Sequence, residues 1–218
     1  MGGKSSSSFS NNENYGHFTG VVRDVPKLNA PGFIKIQTSS SDRFPNISTC
    51  SHLFLEAKSE TNSEYKGWRL GIGYSRPSNG RRHAFGHKTT FKAPSVYGYS
   101  NVSMALNTFT NYWDPATGDP IVSCKEDTQY CPTFAVLSSI QTISIWAEGV
   151  NGKVDLKLRN IYASGCNGVV DPIVLAGGIS NIEKSGGTIL NGFPKCSGIL
   201  SVASMRVLFF AFCMLILI

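Results

Sequence analysis

Charge is scarce in this chain. Asp, Glu, Lys and Arg make up 16% of its 218 residues, and no long stretch spaces apolar residues at helical intervals. Both absences argue against a helical fold, which needs a charged outer face and a period of about 3.6 residues. No cysteine pair is spaced C-x-x-C, so a zinc site is not expected. The patterns G-x-S-x-G, H-E-x-x-H and G-x-G-x-x-G are all missing, and no two carboxylates stand out as an acid/base couple. The expectation is a protein without catalytic residues, cofactor or metal. The formal charge of +6 is spread along the chain. Lys66, Arg69, Arg76, Arg81 and Arg82 come nearest to a basic patch. They read as a charged loop, because no nucleic-acid-binding fingerprint accompanies them. His83 and His87 share a strand face but lack a third ligand, so they read as surface or hydrogen-bonded side chains.

What is present is alternation. Ile143, Ile145 and Ala147 alternate with Ser144, Trp146 and Glu148, and Val154, Leu156 and Leu158 alternate with Asp155, Lys157 and Arg159. Period-two patterning sends one set to each face of a sheet, so both runs read as half-buried strands. Between them Asn151-Gly152 tolerates positive φ, and the pair reads as a tight hairpin turn. Further strands are expected at Tyr15 to Val22, Phe33 to Thr38, Leu53 to Ala57, Trp68 to Tyr74, His83 to Phe91 and Tyr97 to Leu106. In the fourth of these runs Trp68, Leu70, Ile72 and Tyr74 share one face, while Arg69, Gly71 and Gly73 take the other. The glycines there suggest a bulge or a close backbone approach. Residues Asn111 to Pro120 carry Asp-Pro and Gly-Asp-Pro and read as a loop. Many short strands with regular turn signals indicate an all-β sandwich or jelly roll.

Six cysteines occur: Cys50, Cys124, Cys131, Cys166, Cys196 and Cys213. Cys124 with Cys131, and Cys50 with Cys166, are candidate disulfides, although spacing alone does not fix connectivity. Asn46-Ile47-Ser48 and Asn101-Val102-Ser103 are glycosylation sequons. Together with the cysteines they favour an oxidising, secretory route. Residues 167–198 are rich in Gly, Ser and Asn and read as a low-complexity linker. Residues 199–218 end in the apolar run from Val207 to Ile218, which is shorter than the roughly 20 residues of a spanning helix. A glycolipid attachment signal fits, with Ser197 and Gly198 as the small residues at its cleavage site. The rival is a tail anchor with Arg206 at the interface. Both attach the protein to a membrane.

Aromatic side chains offer a second kind of site. Tyr97, Tyr99, Tyr112, Trp113 and Trp146 could line a sugar-stacking surface, since rings join large apolar area to a polar handle. Asp114 and Asp119 supply too few oxygens for calcium. Glu148, beside Trp146 at a strand end, reads as a buried, hydrogen-bonded carboxylate. Gly3-Lys4-Ser5 lacks both the leading glycine and the preceding strand of a phosphate loop.

Several segments together resemble the thirty-kilodalton complex I intermediate-associated protein family. They are Met1-Gly2-Gly3-Lys4-Ser5, Phe18-Thr19-Gly20, Pro31 to Ile36, Tyr65 to Leu70, and the closing run Ile143 to Ala163. The likeness covers residues 1–166 and rests on order and spacing. It implies a galactose-binding-like jelly-roll sandwich over 1–166, without activity of its own. It also implies a role like that of assembly factors for NADH:ubiquinone oxidoreductase, which bind unfolded or partly assembled protein partners. In the family the Met-Gly-Gly segment lies inside the domain, so an N-terminal strand is expected to be missing here. The sequons and apolar tail depart from a mitochondrial setting. They leave two expectations open: a membrane-attached assembly-type module, mitochondrial or secretory, or a cell-surface glycan-binding sandwich.

Overall fold

The computed structural model describes residues 4–27, 29–38, 44–60, 65–73, 86–92, 97–114 and 117–167, with the backbone of 173–177. The chain alternates between two antiparallel sheets. One contains β1 (Ser6–Asn12), β2 (Tyr15–Val22), β6 (His52–Ser59), β9 (Ser100–Ala105), β11 (Gly152–Ser164) and β12 (Ile173–Gly177), ordered β1-β2-β11-β6-β9 with β12 also on β11. The other is ordered β5-β10-β7-β8, from Phe33–Gln37, Thr142–Glu148, Trp68–Gly73 and Gly86–Thr90. A two-residue pair, β3 (Asp24–Val25) and β4 (Ala30–Pro31), sits between β2 and β5 in sequence. The one α-helix among the described residues is a single turn, α1 (Phe134–Leu137), whose N-cap Thr133 accepts from Val136 N.

Alternation builds the core. Phe18 and Val22 from β2, Leu53 and Leu55 from β6, and Val154 and Leu156 from β11 meet Ile34, Trp68, Leu70, Ile72 and Ile145 from the facing sheet. All of these are at most 3% exposed. A fully buried side chain of this size contributes about 1.5–3 kcal/mol. Phe18 and Trp68 touch edge-to-face across the two sheets at 6.1 Å between ring centroids. The all-β sandwich expected from the sequence is therefore what forms.

Three local expectations change. β10 and β11 do not make a hairpin: β10 pairs with β5 and β7, whereas β11 pairs with β2, β6 and β12. Gly149 (φ 72°) and Gly152 (φ 155°) turn the chain from one sheet to the other instead. The two apolar stripes thus face each other across the core, and period-two patterning fits either arrangement. Within β11 a bulge between Leu158 and Asn160 shifts the phase, so Ile161 and Ala163 point inward after Val154 and Leu156. Part of the expected linker 167–198 is a strand, since Asn160 to Ala163 of β11 pair with β12. β2 and β12 lie end to end along one edge of the long β11.

β1 has a polar sequence, S-S-S-F-S-N-N, and is held by full pairing with β2 rather than by propensity. Cys50–Cys166 and Cys124–Cys131 are both disulfide-bonded. The first closes 116 residues of chain and the second closes 7. The proposed tail signal, including Ser197 and Gly198, lies outside the described residues, as do His83, Arg76, Arg81 and Arg82. Among the described residues no helix is long and apolar enough to cross a membrane.

Candidate functional site

The outer face of the four-stranded sheet carries the polar half of the alternation. Register sets two cross-strand rows there. Gln37, Ser144, Gly71 and Lys88 form one, and Lys35, Trp146, Arg69 and Thr90 form the other. Gly71 is small for a reason. A Cβ at this position would stand 2.6 Å from Ser144 Oγ and 3.3 Å from Trp146 Nε1. The gap lets the indole lie along the sheet, where Trp146 Nε1 donates to Ser144 Oγ at 2.8 Å.

A roof covers this face. Thr110 extends the sheet edge by exchanging both backbone hydrogen bonds with Lys88, at 2.8 and 2.9 Å. From there the chain folds back on itself: Trp113 bridges Pro120, Ile121 N donates to Tyr112 O, and Asp114 N donates to Asp119 O. The expected Asn111 to Pro120 loop is thus a short, internally bonded hairpin. Asp114 Oδ1 accepts from Thr117 N at the turn, and Asp119 Oδ1 accepts from Arg69 at 2.6 Å. The disulfide loop braces the roof: Asn111 N donates to Tyr130 O, and the Tyr112 and Tyr130 rings stack at 4.9 Å.

Under the roof lies a buried charge cluster. Lys88 Nζ donates to Glu148 Oε1 at 2.6 Å, with the two side chains 6% and 7% exposed. The ammonium also sits 3.6 Å from the Trp113 ring centroid and 4.8 Å from that of Trp146, an arrangement that stabilises its charged form. Gly118 (φ 72°) rests directly on the Glu148 carboxylate, where a Cβ would come within 2.2 Å of Cδ. Arg69, 5% exposed, donates through Nε to Gly118 O and through Nη1 to Lys66 O and Trp68 O. Burial pushes the Glu148 carboxyl up and the Lys88 amine down, and each is partly restored by the other. Lys35, 4.7 Å over the Trp146 ring, is lowered to about 8 by burial first and by the Lys88 charge second.

Between roof and sheet edge is a cleft of about 190 Å³. Trp113 walls it, and Arg69, Lys88, Thr89, Thr90, Thr108 and Thr110 are among the residues that line it. The hydroxyls are ordered by their bonds. Thr108 donates to Ala105 O at 2.7 Å, so Thr89 is the donor in its 2.8 Å contact with Thr108. Thr110 donates to Val122 O at 2.8 Å. Thr89, Thr108 and Thr110 have thus spent their protons on the protein and keep acceptor capacity.

The expected aromatic group divides between the two sheets. Trp113, Tyr112 and Trp146 belong to the roofed face. Tyr99 lies on the outer face of the six-stranded sheet, with the Arg159 guanidinium 3.6 Å over its ring. Tyr97 is 97% exposed. Sheet order separates residues that sit close in sequence. Asn101 is exposed on edge strand β9 opposite Glu56, and Asn46 is exposed and caps its own turn by accepting from Ser48 N. His87 is buried on the core side of β8, without a hydrogen bond of normal geometry at either ring nitrogen. Burial lowers its pKa against a smaller opposing pull from the Cys131 backbone.

The sequence had marked Arg69, Gly71 and Gly73 as one face and Glu148 as buried. It gave no sign of Lys88, Lys35 or the threonines as their neighbours, because their grouping depends on strand order.

No protein-family model matches the chain, and no curated protein matches it. Three solved chains do, one of them described as "Structure of PfGH50B". It aligns with a TM-score of 0.44 at 12% identity, over 75% of this chain and 22% of that one. A likeness at that level leaves function to be argued from the site.

Proposed function

We propose that this chain is a non-catalytic carbohydrate-binding β-sandwich, a galactose-binding-like jelly roll that takes a sugar in the cleft beneath Trp113. The observation that carries this reading is the composition of that cleft: one indole wall, four threonine hydroxyls of which three are fixed as acceptors, and buried cationic donors. Sugars present both an apolar C–H face and a ring of hydroxyls, so they need an aromatic surface beside fixed polar groups. Pockets for drug-sized ligands measure roughly 300–1,000 Å³. The smaller cleft suits a single ring or the end of a chain. Both carboxylates are engaged, Glu148 by Lys88 and Asp119 by Arg69, which favours binding over glycosidic chemistry.

The two disulfides support a secreted or cell-surface location, with Asn46 and Asn101 glycosylated and the C-terminal segment as the membrane attachment. The competing assembly-factor reading rests on the sequence motifs alone, and the disulfides weigh against a reducing compartment. A glycan array probed with the wild-type chain and with Trp113→Ala tests the proposal. Specific binding that is lost in the variant is the expected result. Silence of the folded wild-type chain across the array overturns it.

A further inference from the structure

We infer that the sugar taken by this cleft is anionic, a pyranose bearing a carboxylate or a sulfate ester. This rests on the carbohydrate-binding reading and names its ligand class. Every charged side chain lining the cleft is a cation: Arg69, Lys88 and Lys125. The two carboxylates that balance the first two do not line it. Glu148 lies beneath Gly118, and Asp119 projects to solvent with 63% of its side chain exposed. Lys125 is exposed at the rim and forms no ion pair among the described residues. Lys35, behind Trp146, adds a further positive charge to the same face. The next acids, Glu126 and Asp127, are held by backbone amides, Glu126 by Ser123 N at 2.7 Å and Asp127 by Gln129 N at 3.0 Å, and neither lines the cleft.

The hydrogen-bonding inventory points the same way. Thr89, Thr108 and Thr110 have no protons left for the ligand, so these three can only accept from sugar hydroxyls. The strongest donors lining the cleft belong to cations. Arg69 spends four N–H groups, on Gly118 O, Lys66 O, Trp68 O and Asp119, of the five a guanidinium has. The remaining Arg69 donor and the Lys125 ammonium call for a strong acceptor. Bonds from such donors to an oxyanion are about twice as strong as neutral ones. A walled, partly buried cleft weakens their screening by water.

The experiment is a titration of the full chain with matched trios built on several hexoses, each a neutral sugar, its uronate and its sulfate ester, at low and high salt. The charged members are expected to bind about tenfold tighter than the neutral one, with affinity falling as salt rises. Lys125→Ala, a surface substitution, should narrow that gap. Preference for only one oxyanion still supports the inference and identifies the group. Equal or tighter binding of the neutral sugar overturns the inference while the carbohydrate reading stands. Inorganic sulfate competing as well as the sulfated sugar also overturns it, since the ion alone would then suffice. Failure of all members of every trio defeats both readings.

Discussion

On the outer face of the six-stranded sheet, Lys58 and Lys157 pair with Glu60 at 3.2 and 2.8 Å, and the three side chains keep 24–29% of their surface in water. On the outer face of the four-stranded sheet, Lys88 pairs with Glu148 at 2.6 Å with only 6% and 7% exposed. Both faces also stack cations on rings: Arg159 on Tyr99 and Lys157 on Tyr15 in the first, Lys88 on Trp113 and Lys35 on Trp146 in the second. The residue types are the same, and the difference is the hairpin from Thr110 to Ser123. Without a roof, the ion pairs remain in high dielectric and are each worth about 0–1 kcal/mol. Beneath one, desolvation makes the pairing obligatory, since a buried charge that loses its partner costs several kcal/mol. The roof also encloses the cleft.

The largest expected effect separates the two faces by stability. Glu148→Ala should cost about 3–5 kcal/mol by leaving Lys88 buried without its carboxylate. Glu60→Ala should cost about 1 kcal/mol or less. Urea unfolding of both variants measures the difference, and equal midpoints would erase the distinction between the faces. Next comes the roof itself. Gly118→Ala places a side chain at φ 72° and within 2.2 Å of the Glu148 carboxylate. The backbone strain alone costs about 1–3 kcal/mol. Thermal unfolding should show this loss together with weakened sugar binding. A variant as stable as wild type would mean that the hairpin does not press on Glu148.

The smallest effect is a pH dependence of opposite sign on the two faces. Lys35 is lowered to about 8, so above that pH the unfolded chain holds a proton that the folded chain has released. Stability contributed by this group therefore rises with pH from about 8, by about 1–2 kcal/mol before tyrosine ionisation near pH 10 intervenes. Burial pushes the Tyr65 hydroxyl up, so its contribution is lost above that point. Lys157, raised by its bond to Glu60, works in the other direction, and its stabilisation disappears at alkaline pH. Lys35→Met should reduce the rise seen in chemical denaturation, leaving what Lys88, also lowered by burial, contributes. A wild-type curve that falls steadily from pH 8 would contradict the burial of Lys35.

Much of the fold was legible because alternation reports burial directly. Each of the eight runs marked as strands contains a strand within its described residues, and in β7 the split between Trp68, Leu70 and Ile72 on one side and Arg69, Gly71 and Gly73 on the other is the split between core and site. Alternation says nothing of which strand lies beside which. That is why Ile143 to Ala163 read as a hairpin and proved to be a passage between sheets. The same ignorance grouped Tyr99 with Trp113, which the fold assigns to opposite faces. β1 escaped notice because its serines and asparagines carry no apolar stripe, and its pairing with β2 supplies what propensity does not. The site was half visible: Trp113, Glu148 and the glycines of β7 drew attention singly. Lys88 carries no mark in the sequence, and its burial depends on the Thr110 pairing and the Trp113 ring that the fold brings to it.

The central claim is that the roofed face, and not the open one, holds the sugar. One paired titration tests it: a glycan that binds the wild-type chain, measured against Trp113→Ala and Tyr99→Ala. The account predicts at least a tenfold loss for Trp113→Ala, about 1.4 kcal/mol, with Tyr99→Ala binding as wild type. Loss on Tyr99→Ala with Trp113→Ala unaffected would move the site to the six-stranded sheet and contradict it.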